Sequence, residues 1–107
     1  MKKTGVSYLV ELLLPCQTAK GNPVGMEWFN QLLAELTARF GGVTSFVRAP
    51  GQGLWQSDGK VEEDSIAVIE VMTAEINPSY WAQLRERLER ELAQDEIVVR
   101  AHETRRL

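Results

Sequence analysis

The sequence predicts an α+β domain whose elements run strand, helix, strand, strand, helix, strand. Three observations carry that expectation. Four apolar segments alternate with period two, as strands with two distinct faces do. Two segments between them place apolar residues at helical spacing. Each of those two opens on the same dipeptide, Asn22-Pro23 and Asn77-Pro78, a capping side chain followed by a residue with preset φ.

The first strand spans Val6 to Leu14. Val6, Tyr8, Val10, Leu12 and Leu14 fall on one face, and Ser7, Leu9, Glu11 and Leu13 on the other. Both faces carry apolar groups, so this is a central strand with a cover on each side. Pro15 ends it because proline cannot donate to a sheet ladder.

The first helix is expected from Asn22-Pro23, with Gly25 weakening its first turn and drawing the start toward Met26. Phe29, Leu32, Leu33, Leu36 and Phe40 form its buried stripe. Gly41-Gly42 stops it, since glycine takes the left-handed cap conformation at little cost.

Val43 to Ala49 forms the second strand, with Thr44, Phe46 and Arg48 sharing a face. Ile66 to Thr73 forms the third, with Ala67, Ile69 and Val71 toward the helices and Val68, Glu70 and Met72 away from them. Between them, Ser57-Asp58-Gly59-Lys60 is a hairpin turn in which Asp-Gly supplies the required positive φ. The two strands therefore extend into a long ribbon, with Pro50 to Gly53 as a bend or bulge in one arm.

Trp81, Leu84, Leu88 and Leu92 make the stripe of the second helix. Its outer side pairs Arg85 with Glu89, Glu86 with Arg90 and Arg87 with Glu91 at i, i+4 spacing. Ile97 to Thr104 closes the chain as the fourth strand, with Val98, Arg100 and His102 on one face. Each half is a β-α-β crossover of right-handed sense. The compact arrangement is a ferredoxin-like βαββαβ sandwich of one domain over residues 1–107. Strands one and three are central, and both helices lie on one face of a four-stranded antiparallel sheet.

Composition narrows the function. The 107 residues suffice for a core without staples. A formal charge of −3 argues against nucleic-acid binding, as does Phe46 being the one aromatic residue on the face away from the helices. The lone Cys16 permits neither an intrachain disulfide nor a cysteine zinc site. Glu62, Glu63 and Asp64 are adjacent rather than convergent, so no metal is expected. Gly51-Gln52-Gly53 lacks the remaining residues of a phosphate cradle, and no cofactor is implied. The apolar run from Val6 to Leu14 is too short for a membrane span, and no cleavage signal follows it. A cytoplasmic protein of bacterial style is expected.

The sheet face away from the helices holds the candidate functional residues. Leu9, Leu13, Phe46, Val68, Met72 and Val98 would leave an apolar patch larger than soluble monomers expose. A second copy of the chain is the expected cover, giving a homodimer. Within that patch, Glu11 and Glu70 lie on adjacent strands and Arg48 and Arg100 on the edges. One reading is charge pairing at an interface. The sharper one is two carboxylates raising one pKa to make a general acid or base, with Arg48 holding an anionic substrate. His102, the sole histidine, is a further candidate base. Trp55 in the ribbon either caps an apolar pocket or reaches across a dimer, or else folds onto the edge of the core. The candidate ligand-site residues are thus Arg48, Trp55, Glu70, Arg100 and His102.

Phe40-Gly41-Gly42-Val43-Thr44, the run Arg48-Ala49-Pro50-Gly51-Gln52-Gly53-Leu54-Trp55, and Asp64 leading into Ile66 to Met72 resemble the pattern of a group of small uncharacterised bacterial proteins. The resemblance covers most of the chain and implies a ferredoxin-like α+β fold; it supplies no activity. In architecture the chain is also similar to the dimeric α+β barrel proteins, which include small cofactor-independent oxygenases, isomerases and haem-handling enzymes, although no active-site motif of theirs is matched. Two functions follow: a self-associating binding module, or a small enzyme of that barrel type acting on an apolar or aromatic compound.

Overall fold

The computed structural model of the chain describes residues 5–57 and 60–107, with the backbone alone described over 46–57 and 60–65. The element order is β1 (Gly5–Pro15), α1 (Met26–Phe40), β2 (Val43–Ser57), β3 (Lys60–Thr73), α2 (Pro78–Glu91) and β4 (Val98–Arg106). The sheet runs β2-β3-β1-β4 with every described neighbour antiparallel. β1 and β3 are therefore central, as the two-faced pattern of β1 requires.

The core lies between the sheet and the two helices. Val10, Leu12 and Leu14 of β1 and Ala67, Ile69 and Val71 of β3 are buried there. They meet Phe29, Leu32 and Leu36 of α1 and Trp81, Leu84 and Leu88 of α2. These are the residues whose spacing defines one face of each strand and one stripe of each helix. Phe40 and Leu33 pack at the margin of the cluster. Phe40 also stacks on Trp81 at 5.1 Å between ring centroids.

The helix starts differ from one another. Asn77 caps α2 as expected, its side chain accepting from the Tyr80 backbone N–H at 3.2 Å. Asn22-Pro23 does not start α1. Pro23 pairs with Gln17 in an isolated bridge, and the Val24 N–H donates to the Cys16 carbonyl at 2.9 Å. Those bonds hold the dipeptide in an extended loop, and α1 begins at Met26 behind Gly25, which provides no side-chain cap. Gly41 closes α1 at φ 85°, its N–H donating to the Thr37 carbonyl.

β2 and β3 form the long ribbon. β1 pairs with β3 only over Ile66–Thr73, whereas β2 and β3 stay paired out to Ser57 and Lys60. The register shifts where β2 advances from Val47 to Gly51 while β3 advances only from Ala67 to Ile66. The irregularity thus covers residues 48–50 and meets the expected bend only at Pro50, since Gly51, Gln52 and Gly53 are paired with Ile66, Ser65 and Asp64. Asp58 and Gly59 of the expected turn lie outside the described residues.

Candidate functional site

The register sets the candidate residues in rows across the open face. Thr44 pairs with Glu70, Glu70 with Glu11, and Glu11 with Arg100, so one row crosses all four strands. The next row runs Met72, Leu9, His102, and the one on the other side runs Val68, Leu13, Val98. A polar row is therefore flanked by one apolar row and by one that is apolar at Met72 and Leu9 and ends on His102. Met72 and Val98 are 47% and 44% exposed, and Leu9, Leu13 and Val68 are half-buried.

Glu11 is the hub of this face. Its Oε1 accepts from Arg100 Nε at 2.7 Å and lies 3.0 Å from His102 Nε2. The Arg100 guanidinium, then His102, holds the Glu11 carboxyl below the usual carboxylate range. The expectation that paired carboxylates raise one pKa is thus not met at Glu11: its bonds to β4 oppose any effect of the neighbouring acid. Farther along the same strand pair, the Ser7 and Thr104 hydroxyls meet at 2.9 Å. The Ser7 hydroxyl also donates to Met72 Sδ at 3.5 Å.

Of the five residues singled out in the sequence, Glu70, Arg100 and His102 share this face. Arg48 falls in the register irregularity, where alternation of faces no longer assigns it, and Trp55 lies in the ribbon opposite Glu62. The side chains of both, and of Phe46, lie outside the described residues. The contact of His102 with Glu11 is not legible from alternation alone. His102 lies opposite Leu9, and its ring reaches Glu11 along the diagonal.

A cavity of about 280 Å³ lies on the opposite side of the domain, in the groove between α1 and α2, lined by Trp28, Leu32, Glu35, Arg87 and Glu91 among others. Its polar groups largely satisfy one another. Arg87 holds Glu35 through two bonds of 2.8 and 3.0 Å, and Trp28 Nε1 donates to Glu91 at 2.9 Å. Paired in this way, they serve as a tie between the helices.

No family model matches the chain, and no curated protein matches it. Among solved structures the chain is similar to a phage SAM lyase in complex with S-methyl-5'-thioadenosine. That likeness has a TM-score of 0.63 at 13% identity and covers 96% of this chain and 86% of that one.

The likeness is one of fold. It supports the small α+β architecture read from the sequence. Among the described residues no group of three or more His, Cys, Asp or Glu side chains is placed to hold a metal ion, and no helix is long and apolar enough to cross a membrane. Cys16 is half-buried and its thiol is pushed up by desolvation, which does not favour a reactive thiolate.

Proposed function

We propose that the chain is a self-associating small-molecule-binding domain, with the open sheet face packed against a second copy and the Glu11, Glu70, Arg100 and His102 cluster as the ligand's polar anchor. The observation that supports this is the banding of that face, a charged row flanked by Leu9 and Met72 on one side and by Leu13, Val68 and Val98 on the other, while the described helices pack on the opposite face. Apolar groups without a cover favour association, and a symmetric dimer is the commonest result. Light scattering on gel-filtered protein at micromolar concentration tests the first half. A dimer or larger species is expected, and Met72→Glu or Val98→Glu should shift it toward monomer. A clean wild-type monomer would refute it.

A second reading, a small cofactor-independent enzyme, is favoured by the fold likeness to the SAM lyase together with the Glu11–His102 contact. The resemblance to dimeric α+β barrel proteins points the same way. SAM and S-methyl-5'-thioadenosine are the first probes to try, by thermal shift and by chromatography for product. Stabilisation that is lost in Glu70→Gln and His102→Gln would support it. Absence of both stabilisation and turnover across a broad metabolite panel would remove it.

A further inference from the structure

We propose that Nδ1 of His102 is the proton acceptor of the open face, with Glu11 as the residue that positions the ring and Arg100 as the residue that positions Glu11. This deepens the reading of the face as a ligand site and takes from it only that a small molecule reaches that face.

One carboxylate oxygen holds both side chains. Glu11 Oε1 receives Arg100 Nε at 2.7 Å and meets His102 Nε2 at 3.0 Å. An ionised carboxylate oxygen accepts and cannot donate, so the ring must carry a proton on Nε2. In the neutral imidazole the lone pair then resides on Nδ1. Arg100 pins the carboxylate and keeps it ionised, with the Glu11 pKa below the ordinary range. A carboxylate so stabilised is a weak base, whereas the ring nitrogen turned away from it keeps a free lone pair. The roles therefore divide between the two groups.

The surroundings fit a substrate with an apolar body. His102 is about half exposed, with 53% of its side chain accessible. Its cross-strand neighbours are Leu9 and then Met72, which form an apolar platform beside the ring. The charged groups facing it are Glu11 from β1, Arg100 on β4 and Glu70 from β3, one strand beyond Glu11. The ligand class is a small compound with an acidic C–H or O–H bond. That bond breaks, its electron pair stays on the compound, and the proton passes to Nδ1. The resulting imidazolium lies against the Glu11 carboxylate, and water or the leaving group later takes the proton back.

His102 is the sole histidine, so the imidazole nitrogen NMR spectrum of the full chain reports one residue. In its neutral form the wild-type ring should show a single tautomer, protonated on Nε2, and Glu11→Ala should restore exchange between the two tautomers. The second measurement uses 5-nitrobenzisoxazole as a general-base probe. Removal of its C3 proton forms the nitrile as the N–O bond breaks, and the phenolate is read by absorbance without a co-reactant. His102→Gln should slow this elimination by roughly a hundredfold, the low end for a positioned base. Glu11→Ala should slow it less, with Glu11→Asp recovering part of the loss. A wild-type ring protonated on Nδ1, or elimination as fast in His102→Gln as in wild type, would overturn the proposal. Should the chain prove monomeric and bind neither SAM nor S-methyl-5'-thioadenosine, the histidine-dependent elimination and the Nε2 tautomer would still stand. The opposite pattern would remove the proton acceptor alone.

Discussion

Glu11 lies directly opposite Glu70 across the β1–β3 pair, yet its carboxylate is bonded to the other neighbouring strand, through Arg100 at 2.7 Å and His102 at 3.0 Å. Like charges directly opposite one another weaken a sheet. The bonds to β4 offset that cost at Glu11 and tie the edge strand to the centre of the sheet.

A pH dependence follows from that tie. The folded-state pKa of Glu11 is lowered, chiefly by Arg100. Its contribution is therefore complete above the unfolded carboxylate pKa and is lost as pH falls through the depressed folded value. Glu89 behaves alike, its carboxyl lowered first by the Ile97 backbone N–H it accepts at 2.9 Å. Glu11→Gln should cost up to about 1 kcal/mol at neutral pH, the range of partly exposed pairs. The gap between variant and wild type should close on acidification. Denaturant melts across the acid range measure it; a gap that widened toward low pH would contradict the assignment.

The two helices are joined by a polar tie as well as by their shared core. Arg87 bonds Glu35 of α1 through two nitrogens and lies 3.4 Å from Glu91 on its own helix. A double-mutant cycle on Arg87→Ala and Glu35→Ala should give a coupling of about 0.5–1 kcal/mol, since both partners are partly exposed. Raising the salt concentration should reduce it. A coupling indistinguishable from zero at low salt would mean that the bidentate geometry does not persist in solution.

Much of this fold is legible in the sequence because it depends on local periodicity. Alternation along β1 and β3 sorts Leu12 from Leu13 and Ile69 from Glu70, and the apolar stripes mark the buried sides of both helices. The start of α1 is not legible in that way. Asn22-Pro23 and Asn77-Pro78 carry the same local signal. What separates them is the Gln17–Pro23 bridge, formed when the chain after β1 folds back. The Arg87–Glu35 tie likewise depends on how the helices approach. His102 reaches Glu11 only because the β1–β4 register puts Leu9 opposite it.

The two ends of the helices offer a direct contrast. Gly41 has φ 85°, and a Cβ there would meet nothing within 4 Å. Gly41→Ala should therefore cost about 1–2 kcal/mol through backbone strain alone. Asn77→Ala removes the acceptor of the Tyr80 N–H and should cost about 1 kcal/mol. Gly25 is extended, with open space at its Cβ. Gly25→Ser should gain a few tenths of a kcal/mol by supplying the missing cap. Thermal melts of the three variants should separate two losses from one gain.

Leu12 and Leu13 are adjacent and test both faces of the sheet. Leu12 is fully buried in the helix-side core. Leu12→Ala should cost about 2–5 kcal/mol through lost transfer energy and a residual cavity, at any protein concentration. Leu13 is half-buried on the open face, opposite Val68 and Val98. If a second copy covers that face, Leu13→Ala removes apolar area from the contact between copies as well as from the fold. Its cost should then depend on protein concentration, because association that favours the native state stabilises it by mass action. Denaturation across a hundredfold concentration range reads the difference. For Leu12→Ala the difference from wild type should stay constant. For Leu13→Ala it should appear chiefly at concentrations where wild type is associated and the variant is not. A concentration-independent Leu13→Ala effect would place that side chain outside any interface.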